Sequence, residues 1–147
     1  MNLLERRREL LGGKKLLPFV IWQNGMTAVS QIPIEYTTSK CTLTYGVDGT
    51  GSYINIKGVS GPATKSVTFT IPALYIEKAK TCNIVWYVIE GYSICNVKLV
   101  CDGRTLTDTG TGNMQKRTYT PDITSFTGDL TVTFTGNKVR IYNFVIE

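Results

Sequence analysis

The chain has 147 residues, which suits one domain with a substantial buried core. Its 42% hydrophobic and 18% charged content belongs to a globular protein, and the abundance of Thr, Gly, Val, Ile and Tyr favours strands over helices. Net charge is +5, of which the first fifteen residues hold +3, so the body is only mildly basic. No basic stripe with aromatic platforms is legible on the expected strands, which reads against nucleic acid as a partner.

Residues 2–11 read as a short helix. Asn2 can cap it with Glu5 three residues on, Gly12-Gly13 ends it, and Leu3, Leu4, Leu10 and Leu11 form an apolar stripe interleaved with Arg6, Arg7 and Arg8. A helix this short needs a surface to dock on, either its own β domain or a neighbouring subunit. We therefore divide the chain into an attachment arm and linker, 1–18, and a β domain, 19–147. Residues 16–22 are apolar but too few to span a bilayer, so no membrane segment is expected. Acidic residues among the basic ones, and no small-residue cleavage site, argue against a signal peptide.

The β domain reads as a succession of short strands. Strands are expected at 19–23, at 27–34 as an edge interrupted by Pro33, and at 41–45, with Gly46 to Gly51 as a turn. Further strands follow at 53–57 and 66–71, then an ambiguous helical turn in 73–80. Residues 82–89 are apolar on both faces and suit a central strand. Residues 94–101 are expected to pair back on it, and Asp102-Gly103 is a hairpin signal leading to 104–107. A strand at 115–120 precedes the clearest stretch. There, Leu130, Val132 and Phe134 alternate with threonines before Gly136-Asn137, then Val139 and Ile141 alternate with Lys138 and Arg140. With Gly136-Asn137 as a two-residue loop, Phe134 faces Val139 and Val132 faces Ile141 on one buried side. That inward parity reaches Ile141, whereas Tyr142, Phe144 and Ile146 fall on the other, so a bulge near Tyr142-Asn143 or a face covered on both sides is expected. The fold class is all-β: an antiparallel β-sandwich of jelly-roll type with a short N-terminal α-helical arm. An immunoglobulin-like sandwich is the other candidate.

The chemistry is sparse. The chain lacks histidine, which removes every Ser-His-Asp or Cys-His arrangement and every histidine-containing metal site. Cys41, Cys82, Cys95 and Cys101 show no C-x-x-C spacing, and Cys82, Cys95 and Cys101 fall on apolar strand faces, so free buried thiols are expected. Asp48, Glu77, Glu90, Asp102 and Asp108 are the carboxylates by which a paired-carboxylate enzyme could work, but all except Glu77 sit where turns need them. The loops at 48–51 and 108–113 could offer oxygen ligands to calcium, without an EF-hand pattern, and turns are the favoured reading. No cofactor, no metal and no enzymatic activity are expected. Of the eight tyrosines, Tyr36, Tyr75, Tyr87 and Tyr92 fall in loops or on less buried faces. Tyr87 and Tyr92 are the candidates for ligand contact, with plain packing as the other reading.

Two stretches carry a resemblance. The opening M-N-L-L-E-R-R-R-E-L-L resembles the start of small virion and tail-associated proteins of phages and prophages of gut bacteria. The body, above all P-D-I-T-S-F-T-G-D-L and the strands after it, resembles jelly-roll modules of carbohydrate-binding or galactose-binding type. The resemblance implies a non-enzymatic virion protein, head decoration or tail-associated. It would be made in the bacterial host cytoplasm and anchored by its arm to other virion subunits, as a homo-oligomer in the assembly. The alternative it implies is a carbohydrate-binding or receptor-binding module whose partner is a host-surface glycan.

Overall fold

A computed structural model describes residues 16–59, 64–89, 95–110 and 114–147. The arm, with its docking candidates Leu3, Leu4, Arg6, Arg7, Arg8, Leu10 and Leu11, lies outside the described residues, as do Tyr92 and Glu90.

The described chain forms eleven strands: β1 (Phe19–Trp22), β2 (Tyr36–Ser39), β3 (Cys41–Asp48), β4 (Gly51–Gly58), β5 (Ser66–Ile71), β6 (Cys82–Val88), β7 (Cys95–Cys101), β8 (Arg104–Gly110), β9 (Gln115–Tyr119), β10 (Leu130–Thr135) and β11 (Lys138–Ile146). One helical turn, α1 (Ala73–Ile76), lies between β5 and β6. All pairings are antiparallel and build two sheets. One runs β3-β4-β11-β6-β9, with β1 also on β11, and the other runs β2-β5-β10-β7-β8. Inward residues of both sheets make one core. At its centre the rings of Phe69 (β5) and Phe134 (β10) meet Phe144 (β11) from the facing sheet, with centroids 5.4 to 5.9 Å apart. This is the all-β jelly-roll sandwich expected from strand spacing and composition.

Two expected pairings are corrected. β10 and β11 do not form a hairpin: β10 pairs with β5 and β7, whereas β11 pairs with β4 and β6 in the other sheet. Gly136-Asn137 is the corner where the chain crosses the sandwich. Phe134 and Val139 both point inward, but they belong to opposite walls of the core. Likewise β7 does not pair back on β6; it lies between β10 and β8. Asp102-Gly103 does form the expected two-residue turn, with φ of 52° and 74°, joining Cys101 to its partner Arg104.

Residues 27–34 are not a strand. Val29–Gln31 is a 3-10 turn. Gln31 Oε1 accepts the N–H groups of Thr27 (2.7 Å) and Ala28 (3.1 Å), satisfying donors that a strand would have given to a neighbour. The strand of this region is β2, exposed along its length at the sheet edge. β3 and β4 run on to Asp48 and Gly51, so the loop is Gly49-Thr50 alone and Gly46 is a strand residue. Cys41, Cys82, Cys95 and Cys101 are buried free thiols. Burial pushes all four up in pKa, Cys82 most, so they stay neutral in neutral solution.

The crossing at Gly136 admits no side chain. Its φ is +152°, and a Cβ would lie 2.6 Å from Cys95 Sγ and 2.8 Å from Val139 Cγ2. Its N–H donates to the Lys65 carbonyl at 3.0 Å, which fixes the corner. Gly136→Ala is therefore expected to destabilise the fold by about 2 kcal/mol, read as a lower urea midpoint with an unchanged m-value.

Candidate functional site

The outward face of the six-stranded sheet carries a connected group of polar and aromatic side chains. It follows from strand parity. In β4, Ile54 and Ile56 are buried while Tyr53, Asn55 and Lys57 point out; in β6, Trp86 and Val88 are buried while Tyr87 points out. Strand register then sets Thr44, Asn55, Arg140, Tyr87 and Lys116 in one row across β3, β4, β11, β6 and β9. On the row before it, Lys57 and Lys138 are neighbours.

The bulge expected near Tyr142-Asn143 is present: the β11–β6 register shifts between Ile141 and Asn143. The extra residue restores inward parity for Phe144 and Ile146, both buried, and turns Tyr142 to the outer face. There the Tyr142 ring meets Tyr53 at 5.4 Å and Tyr87 at 6.1 Å between centroids. Tyr142 thus ties together two tyrosines from separate strands. Arg140 lies over Tyr53, its guanidinium carbon 4.3 Å from the ring centroid, a cation–π contact. Tyr53 in turn covers Gly46, where a Cβ would sit 2.4 Å from the ring. Only glycine lets the ring lie down on the sheet at that point.

Asp48 anchors the group. Its carboxylate accepts the Tyr142 hydroxyl, Arg140 Nη1 at 3.0 Å and the Thr50 N–H at 2.8 Å. The Tyr142 hydrogen bond, with the Thr50 and Gly51 amides and the Arg140 charge, outweighs desolvation and holds the Asp48 carboxyl below its ordinary range. Burial and the Asp48 carboxylate push the Tyr142 phenol up to about 12. At neutral pH the face therefore holds an ionised carboxylate, a guanidinium and the half-buried rings of Tyr53 and Tyr87, packed on the buried, protonated Tyr142. Such a set can pack against the C–H faces of a sugar while exchanging hydrogen bonds with its hydroxyls.

The other carboxylates are dispersed. Asp102 accepts the Thr127 N–H at 2.9 Å beside the β7–β8 turn. Asp108 is not in a turn. It lies within β8, pointing inward, and pairs with Arg117 Nη2 at 2.6 Å and Trp86 Nε1 at 3.0 Å. Glu77 follows α1. Neither proposed calcium loop gathers ligands among the described residues, where no group of three or more His, Cys, Asp or Glu side chains could hold a metal. Asp48 spends its oxygens on donors instead.

Of the tyrosines singled out in the sequence, Tyr87 stands on the outward face. Tyr75 is stacked flat on Phe19, at 3.8 Å and 8°, and Tyr36 packs on Phe69, so both serve packing. Sequence reasoning missed Tyr53, Tyr142, Arg140 and Gly46 as a group. Tyr53 could be read outward from the parity of β4, but Tyr142 joins it only through the bulge.

Fold and face together define a class: an antiparallel two-sheet jelly roll carrying an aromatic and polar patch on one outer sheet surface. Neither protein-family models nor curated protein sequences give a match to the chain. Solved structures do. A family 29 carbohydrate-binding module, studied for its mechanism of ligand recognition, aligns at 15% identity with a TM-score of 0.57, over 87% of this chain and 89% of that one. A family 61 module in complex with β-1,4-galactotriose aligns at 14% identity with a TM-score of 0.52, over 85% and 98%. An exo-β-agarase aligns at 9% identity with a TM-score of 0.57, over 87% of this chain but 24% of its own. At these identities the likeness establishes a shared fold. It agrees with the carbohydrate-binding side of the sequence resemblance, and nothing in it bears on the virion side.

Proposed function

We propose that this protein is a non-catalytic glycan-binding module that takes a polysaccharide on the outward face of the β3-β4-β11-β6-β9 sheet. The observation that carries this reading is the connected group of Tyr53, Tyr87 and Tyr142 beside Asp48 and Arg140, on a fold shared with carbohydrate-binding modules. Tyr87, half-buried in the middle of the face, offers apolar ring surface to a sugar. Asn55 supplies a hydroxyl's partners, and Arg140, whose Nη1 is held by Asp48, donates through its remaining N–H groups. Because the tyrosines are braced against one another, little side-chain freedom is lost when a chain settles on them.

Tyr87→Ala is expected to weaken glycan binding by about 2 kcal/mol, roughly thirtyfold, as a central aromatic contact does. Affinity electrophoresis in gels containing neutral and acidic plant, algal and bacterial polysaccharides, followed by calorimetry on the best ligand, measures this. The melting curve of the variant serves as the check on folding. Failure of the unaltered protein to bind any polysaccharide at millimolar sugar, or equal binding by a folded Tyr87→Ala protein, would sink the reading.

A further inference from the structure

The net charge on this face is of one sign. Lys57, Lys116, Lys138 and Arg140 all point outward from β4, β9 and β11. The five strands β3, β4, β11, β6 and β9 contain one carboxylate, Asp48, already engaged by Tyr142, Arg140 and the Thr50 amide. Within these strands the outward side chains sum to a formal +3, four cations against one carboxylate. The whole chain carries +5, and its first fifteen residues account for +3 of that, leaving +2 for everything else. The face is thus more positive than the rest of the body that bears it, while Asp102 and Asp122 are spent on turn hydrogen bonds elsewhere.

The placement is also ordered. Lys116 and Arg140 stand on the strands either side of Tyr87, about 10 Å apart at the backbone. Lys57 stands one row further along β4 than Asn55, beside Lys138. A sugar stacked on Tyr87 would have cations on both flanks and further ones ahead of it along the strands.

We infer that the ligand of this face is a polyanionic glycan, one bearing carboxylate or sulfate groups at intervals along the chain. Hydroxyl-only sugars would use Tyr87 and Asn55 and leave the exposed Lys57 and Lys116 without a ligand group. An acidic chain engages both sets. The inference rests on the glycan-binding reading above and adds the substrate class. Single-stranded nucleic acid also combines anions with stackable rings. It fits less well, because the tyrosines pack tilted and edge to face on one another, at 55° and 72°, and offer no run of parallel platforms for successive bases.

The test titrates the full-length protein with oligogalacturonate, a sulfated galacto-oligosaccharide, their neutral counterparts of equal length, and a single-stranded thymidine decamer. The expected result at about 20 mM salt is at least roughly tenfold tighter binding of an acidic sugar than of its neutral counterpart, largely lost at about 0.5 M salt because exposed charges are then screened. The Lys57→Gln/Lys116→Gln double variant, altered at two exposed positions, should melt with the unaltered protein and bring the acidic affinity down to the neutral level. Equal affinity for acidic and neutral sugars, or a double variant that keeps the preference, overturns the charge inference and leaves the glycan-binding reading standing. Absence of binding to every sugar overturns that reading itself. Tighter binding of the decamer than of any sugar overturns both.

Discussion

Phe69→Ala will lower the unfolding free energy by about 4 kcal/mol, from lost burial and the cavity left behind. Phe69 is fully buried in the middle of β5 and meets three other rings: Phe134 in its own sheet at 5.9 Å, Phe144 from the facing sheet at 5.4 Å, and Tyr36 at 5.8 Å. Both sheets press on it, so neither can relax into the space without losing register with its neighbours. Against a total stability on the order of 5–15 kcal/mol, this is a large fraction. For a chain of this size it corresponds to a fall in Tm of roughly 8–16 °C. Phe69→Leu, which keeps most of the volume, should cost only about 1 kcal/mol. Urea denaturation followed by circular dichroism measures both. A loss under about 1 kcal/mol for Phe69→Ala would mean that the three phenylalanines are not the centre of the core.

The residues that build this core were legible in the sequence, but their partners were not. Alternation told correctly which side of β10 and β11 is buried. A hairpin, however, puts Phe134 and Val139 side by side on one wall, and a crossing puts them on opposite walls; both arrangements leave the same residues dry. Period-2 patterning records burial, not sheet membership. The same ambiguity misplaced β7 on β6. What settles the crossing is long-range: Gly136 donates to Lys65, seventy-one residues earlier, and lies against Cys95. At the Asp102-Gly103 turn the local signal sufficed, because positive φ at two successive residues is a local demand that Asp-Gly meets.

The candidate site was less legible, for a related reason. Tyr87 could be singled out as a tyrosine on a less clearly buried strand face, but its companions come from β3, β4 and β11, which only the sheet order brings together. Asp48 read as a turn residue, and its loop does use one oxygen for the Thr50 amide. Its second role, receiving Arg140 and Tyr142 from about ninety residues away, has no local trace. The parity break at Tyr142 was visible too, and with Tyr87 it pointed at the face. A bulge is a means of re-aiming a side chain, and here it re-aims Tyr142 onto Tyr53 and Tyr87.

Asp108→Ala should be nearly as damaging as the loss of Phe69, and its pH dependence separates it from a packing defect. Asp108 reaches inward from β8, an edge strand of one sheet, and takes Arg117 Nε at 2.9 Å and Nη2 at 2.6 Å from β9, an edge strand of the other. It also takes the indole N–H of the fully buried Trp86 at 3.0 Å. The pair closes one side of the sandwich. Alanine would leave the Trp86 donor without an acceptor and Arg117 without its counter-charge, at a cost of about 3 kcal/mol. Burial alone would raise the Asp108 pKa, but the hydrogen bonds from Arg117 and Trp86 and the Arg117 charge overcome it and hold the carboxyl below its ordinary value. A carboxyl whose folded pKa lies below its unfolded one adds stability that is present above about pH 4 and is lost as pH falls through the folded value. Asp48 has the same sign. With no histidine in the chain and burial raising the pKa of all four thiols, the unfolding free energy should be nearly flat from about pH 5 to 8 and fall steeply below about pH 4. Asp108→Asn keeps the shape and one acceptor but cannot titrate. It should be destabilised near neutrality by about 1–2 kcal/mol and show a shallower acid slope than the unaltered protein. Denaturant unfolding at intervals from about pH 3 to pH 8 gives both slopes. An Asp108→Asn protein that loses stability below pH 4 as steeply as the unaltered one would place acid sensitivity in other carboxylates and remove Asp108 as the clasp between the sheets.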